Sequence, residues 1–277
     1  MDHPEVFEQF ILSKTGDMES CEDLIHISDK FVAVFDGVTS KAENVPAGLR
    51  PGGIVAHELS EGLHRLESSA SCSEALAFLS DILSSFLQKN KALCEISPAA
   101  AAIIYSIDRR ELWQVGDCKY AYDGIDFDSD SEIDSHAASV RAAYNRALLL
   151  TGKSIGDLKI NDEGRNLIMP MLKKQHYFLN RAGEHPFGYG CFNGDEIPEE
   201  LQVVHKIPDT TKVLTLASDG YPKLMNNLTE AEDYLKRIIE TDPLCINEHI
   251  ATKGLQVGQV SFDDRAYIRI NLVSCNT

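Results

Sequence analysis

At five places in this chain, acidic residues stand where an apolar run stops or starts. FVAVF (31–35) ends in Asp36-Gly37, VLTLAS (213–218) ends in Asp219-Gly220, and ELWQVG (111–116) closes on Asp117. Glu22-Asp23 opens the run before Asp36, and Asp263-Asp264 opens the last one. Taken singly, an Asp-Gly after a strand reads as a turn, because both residues suit a tight chain reversal. Taken together, with the strands side by side, the acids would gather at one sheet edge. Crowded carboxylates repel unless a cation neutralises them, and hard divalent ions such as Mg²⁺ and Mn²⁺ select carboxylate, carbonyl and water oxygens.

The elements that must position these acids are legible from periodicity. LIHIS (24–28) alternates and FVAVF is a short apolar run, so both read as strands. Beyond the Pro/Gly loop 46–53, Val55, Leu59, Leu63 and Leu66 recur at helical spacing, as do Leu76, Leu79, Leu83 and Phe86, giving two amphipathic helices. AAIIYSIDRRELWQVGD (101–117) is two strand-like runs around a charged turn. CKYAYDGIDF (118–127) continues the pattern through Asp123-Gly124, so an antiparallel meander is expected. Residues 137–180 have helical composition, 212–220 is a strand, and 229–253 is expected to be helical in one or two pieces. In the last strand Ala266, Ile268, Ile270 and Leu272 alternate with Tyr267, Arg269 and Asn271. This order suits an α+β protein with antiparallel sheets covered by helices. No repeat or composition break divides it, so one domain over 1–277 with a helical insert at about 136–181 is expected.

Composition narrows the function. The 277 residues carry 26 Lys+Arg against 43 Asp+Glu, a net charge of −17, which works against nucleic acid or a membrane surface as partner. A hydrophobic share of 43% with 25% charged residues is ordinary for a chain that buries a full core. The seven cysteines are scattered without C-x-x-C spacing and read as reduced thiols, not a disulfide scaffold or zinc site. MDHPEVFEQF carries acids where a secretory signal needs basic residues, and no apolar run reaches membrane-spanning length. A cytoplasmic protein is expected, and the sequence carries no signal for an oligomeric state.

The succession of Glu22-Asp23, FVAVFDGVTS (31–40), WQVGDCKYAY (113–122), VLTLASDGYPKL (213–224) and SFDDRAYIRI (261–270) resembles the metal-dependent serine/threonine phosphatases of the type 2C (PPM) family, as a divergent, bacterial-like member. The resemblance implies a four-layer αββα sandwich of two antiparallel sheets, with two divalent ions, Mg²⁺ or Mn²⁺, in a cleft between them. By motif position Asp36 would bridge both ions, Gly37 would lend its carbonyl, and Asp219 and Asp263 would complete the set. Glu22 would act through a metal-held water with Asp23 supporting it, and Asp117 would help hold a third, weaker ion. The implied reaction is hydrolysis of phosphoserine or phosphothreonine in a phosphorylated protein, by water whose pKa the two ions lower.

The match breaks at three positions. Val38 replaces a His that protonates the leaving group in eukaryotic members, and such general acid catalysis is worth about 10²- to 10⁴-fold. Met18 replaces a phosphate-gripping Arg, with Lys14 as a nearby substitute. Lys223 replaces an acid four residues after Asp219, so its ammonium is expected at the third metal position or on the phosphoryl group. These departures keep two alternatives open: a phosphatase-fold module that senses a phosphorylated partner with little or no turnover, and a small-molecule phosphoesterase. The insert holds eight basic residues against three acids, and Arg141 and Arg146 are expected to help recognise the phosphorylated partner. DGIDFDSDSEID (123–134) fails the EF-hand pattern, with Ser131 where Gly is needed and Ala137 where Glu is needed, and reads as an acidic hairpin or loop. FGYGCFNG (187–194) lacks the P-loop Lys and reads as a turn bordering the cleft. His185, next to Pro186, is the one histidine considered as a proton donor.

Overall fold

A computed structural model describes residues 4–42, 45–127, 131–183 and 186–272; His185 lies outside the described residues. Two five-stranded antiparallel sheets face each other. One has the order β1 (Glu5–Leu12), β10 (Arg265–Asn271), β9 (Val213–Ala217), β6 (Lys119–Tyr122), β7 (Ile125–Phe127). The other has the order β2 (Leu24–Ile27), β3 (Phe31–Gly37), β4 (Ala100–Ser106), β5 (Glu111–Val115), β8 (Val203–Lys206).

Alternation along each strand makes the layers. In β3, Val32 and Val34 enter the core between the sheets with Ile103, Leu216 and Ile268. Phe31, Ala33 and Phe35 point the other way, onto Leu59 and Leu63 of α1 (Pro51–Arg65) and Leu76 and Leu79 of α2 (Cys72–Lys89). A strand buried on both faces reads as an unbroken apolar run, which is why FVAVF does not alternate. The short α3 (Lys91–Cys94) follows α2. On the outer face of the other sheet, Tyr267 packs with Tyr221, Leu224 and Ala231, the last from α7 (Leu228–Thr241). Helix, sheet, sheet, helix is the expected four-layer α+β sandwich. Asp36 continues the parity of Val32 and Val34, so its carboxylate ends the inner row at the open end of the sandwich.

Two sequence expectations are corrected. The meander breaks after β5: the chain crosses at Gly116-Asp117-Cys118 to the opposite sheet, where β6 pairs with β9. Gly116 has φ +88°, and a Cβ there would lie 2.6 Å from that of Ala101, so glycine is required for the crossing. Helix α7 stops at Thr241 and does not resume. Pro243 biases the preceding residue away from helix, and the Asp242 carboxylate accepts the N–H groups of Ile246, Asn247, Glu248 and His249 at 2.8 to 3.3 Å. Residues 242–253 are therefore a tightly bonded loop.

The insert contains α4 (Glu132–Leu150), α5 (Ile155–Ile160) and α6 (Glu163–Leu172). It starts earlier than composition suggested because Ser131 caps α4, accepting the Asp134 N–H. Arg141 fastens the insert to the loop. Its side chain is fully buried against Asp162, with Nε and Nη2 at 2.8 and 2.5 Å from Oδ2. Its remaining N–H groups go to the carbonyls of Leu244, Cys245 and Ala251. Among the described residues no helix is long and apolar enough to cross a membrane.

Removing one partner from a buried pair leaves a charge without compensation. Arg141→Met is therefore expected to lower the unfolding free energy by about 3–5 kcal/mol, read as a lower urea midpoint at unchanged m value.

Candidate metal centre

The acid-bearing segments meet backbone to backbone. A Cβ on Gly37 would lie 2.3 Å from the Glu22 carbonyl oxygen, one on Gly52 would lie 2.4 Å from the Gly37 carbonyl carbon, and one on Gly220 would lie 2.0 Å from the Asp264 carbonyl oxygen. Neither Gly37 nor Gly220 has a positive φ, so the two Asp-Gly pairs are sites of close approach and not left-handed turns. The Asp264 carboxylate completes the join by accepting the backbone N–H groups of Lys14 and Glu22, each at 2.9 Å. The end of β1, the start of β2 and the start of β10 are thus held at one point.

Above this join lies a cleft of about 780 Å³ with Asp36, Gly37, Asp117, Asp219 and Asp263 among its lining residues. Asp36 Oδ2 accepts the Asp219 N–H at 3.2 Å. Burial, then the charges of Asp23, Asp219 and Asp117, push the Asp36 carboxyl well above the usual carboxylate range. Asp23 is pushed up to about 8 by burial and by Asp264 and Asp219, against a hydrogen bond from Ser218. Asp219 Oδ1 and Asp23 Oδ2 are buried without a hydrogen-bond partner. Buried polar atoms are normally paired, and carboxyls raised first by burial and then by neighbouring acids stand where a cation would be favourable. The donor set, all carboxylate and carbonyl oxygen, fits hard divalent ions.

Glu22 and Asp23 are buried. Glu22 Oε1 accepts the Gly52 N–H at 3.0 Å, at the start of α1. Asp263 meets two ammonium groups: Lys253 contacts its Oδ2, and Lys14 Nζ stands 3.5 Å from its Oδ1. Lys14 also reaches Thr39 Oγ1 at 3.0 Å. Among the described residues no group of three or more His, Cys, Asp or Glu side chains already stands at metal-holding spacing; the carboxylates meet ammonium and amide N–H groups instead.

Two expectations fail here. Lys223 is exposed and does not line the cleft; the buried side chains of Tyr221 and Leu224 anchor this turn, and the ammonium groups that reach Asp263 belong to Lys253 and Lys14. Arg141 is fully buried, so its guanidinium cannot meet a docking protein. Arg146 is exposed, with its guanidinium bonded to the Ile246 carbonyl and to Asn247 Oδ1 at the edge of the same contact between insert and loop. Lys253 was missed because it lies in a polar loop without hydrophobic period. Lys41 and Arg165, which also line the cleft, carry no spacing signal either. The glycine-rich segment does border the cleft, through Gly188, Tyr189 and Gly190. Val38 lines it as well and offers no proton. Cys191 lines it too, but its thiol is pushed up by burial and by Asp117 and Asp36, which removes it as a nucleophile.

Neither a family model nor a curated protein matches the sequence. Solved structures do match the fold. A crystal structure of a bacterial serine phosphatase is 12% identical, with 98% of this chain and 99% of that one covered and a TM-score of 0.50. The serine/threonine phosphatase Stp1 from Staphylococcus aureus is likewise 12% identical, with 99% and 98% covered and a TM-score of 0.50. The chain has the fold of the PPM-type serine/threonine phosphatases. In this PPM-type sandwich, the crossing at Gly116 and the joins at Gly37 and Gly220 put the acids at one end of the inter-sheet core.

The raised carboxyls have a stability signature. Folded Asp23 keeps a proton up to about pH 8 that the unfolded chain releases near its ordinary value of 3.8. Its contribution is thus fully present at low pH and is lost as pH rises through that window. In chelator, Asp23→Asn is expected to gain stability relative to wild type between about pH 5 and about pH 8, measured by urea denaturation of both proteins at each pH.

Proposed function

We propose that the chain is a metal-dependent phosphatase that hydrolyses phosphoserine and phosphothreonine in proteins. The supporting observation is the meeting of Asp36, Asp117, Asp219 and Asp263 in one cleft, with buried carboxylate oxygens lacking partners around them. Asp36 and Asp219, the Gly37 carbonyl and Asp263 would hold two divalent ions, Mg²⁺ or Mn²⁺, with Glu22 acting through water, Asp23 behind it, and Asp117 toward a third ion. Bound there, the ions supply electrophilic charge to a phosphoryl group and lower the pKa of the attacking water.

The chain's own residues do the rest. The apolar core between the sheets lies behind the partly buried Asp36 and Asp219, and the lowered dielectric on that side strengthens their hold on a cation. Lys41 and Arg165 on the walls are placed to meet phosphate oxygens, Arg165 also donating to the Thr252 carbonyl at 2.7 Å. Thr39 and Ser40 hydroxyls are engaged with Lys14 and the Ile96 carbonyl. With Val38 in the cleft and no proton to give, leaving groups that depart as stable anions should react fastest.

The test is hydrolysis of aryl phosphates of graded leaving-group pKa and of a phosphothreonine peptide, with Mn²⁺, Mg²⁺ or chelator. Turnover should require metal, fall at least about a hundredfold in Asp219→Asn, and decline steeply as the leaving group becomes more basic. Metal binding without turnover on any of these substrates would replace this reading with the phosphate-sensing module.

A further inference from the structure

The loop 242–253 is fastened along its length. The Asp242 carboxylate takes four backbone N–H groups. Arg141 takes the carbonyls of Leu244, Cys245 and Ala251, and Arg165 takes that of Thr252, the residue before Lys253. Gly254 follows, where a Cβ would lie 2.6 Å from the Leu244 carbonyl oxygen. Lys253 is therefore delivered by a rigid support, unlike a surface lysine that finds an acid by chance. It lines the cleft with Asp36, Asp219 and Asp263 and touches Asp263 Oδ2 directly. A positive charge in direct contact with one of the strand-end acids thus comes from the insert-clamped loop.

We infer that the Lys253 ammonium is a resident cation of this centre, holding the place of one divalent ion at Asp263, so that the second ion binds only by displacing it. The inference rests on the metal-centre reading above. An ammonium carries one charge where the ion would carry two, and it stands on an Asp263 oxygen that the ion would need, so the two positive charges would have to share one carboxylate. Like charges a few ångströms apart repel even in high dielectric. An ion on Asp36 and Asp219 meets this charge only through space, whereas the one that needs Asp263 meets it at its own ligand. Lys14, farther from Asp263 and bonded to Thr39, supports the same carboxylate from the other side.

The experiment is calorimetric titration of the full chain with Mn²⁺, with electron paramagnetic resonance counting bound ions, for wild type, Lys253→Met and Lys253→Arg. Wild type and Lys253→Arg are expected to bind one ion tightly and a second weakly. Lys253→Met, which keeps the stem and loses the charge, should bind the second ion at least about tenfold more tightly. Thermal melts check that the variant folds: Lys253→Met should melt below wild type in chelator and recover with Mn²⁺. Two ions bound equally by wild type and Lys253→Met would overturn the inference and leave the metal centre standing. No Mn²⁺ bound by any of the three would overturn both.

Discussion

Contact between backbones at Gly37, Gly52 and Gly220 is the constraint on which the rest of the structure depends. Any side chain at these positions would meet a neighbouring main chain at 2.0 to 2.4 Å and wedge the strand ends apart. With glycine there, the ends of β3 and β9 and the start of β10 close on one another, and the acids that flank them come together. That convergence buries the acids and sets like charges together, and burial first, neighbouring acids second, push the Asp36 and Asp23 carboxyls up. It is sustained by the apolar rows behind it, since each fully buried Val, Ile or Leu contributes about 1.5–3 kcal/mol.

Charge inside the molecule is arranged around this cost. Three arginines of the basic insert, read from sequence as a recognition surface, bond to the loop after α7: Arg141, Arg146 and Arg165 each donate to one of its carbonyls. That loop in turn carries Lys253 to Asp263. A local surplus of positive charge in a strongly acidic chain thus acts on the chain itself, through a relay of carbonyls and one ammonium.

Much of this fold was legible in the sequence. The apolar runs and helical spacings identified β3, β4, β5, β9, β10, α1 and α2, and the order of the acid-bearing blocks pointed to the sandwich. What periodicity could not supply was partnership. The run 101–127 alternates as a meander would, and only the left-handed Gly116 reveals that its strands divide between two sheets. Residues 242–253 have helical composition, but Pro243 and the Asp242 carboxylate hold them as a loop. At the site, Asp36, Asp117, Asp219 and Asp263 were legible because strand ends leave a signature. Lys253 was not, because a residue placed by tertiary hydrogen bonds has none, and Lys223 was favoured because it stands four residues after Asp219, where the resembled family has an acid.

The claim at the centre of this account is that the strand-end carboxylates converge to hold divalent cations. Anomalous diffraction at the manganese edge, from crystals grown with Mn²⁺, tests it most directly. A manganese peak is expected within bonding distance of the Asp36 and Asp219 carboxylates at the base of the cleft. A map with no anomalous density there, or with manganese bound only elsewhere on this acidic surface, would contradict it.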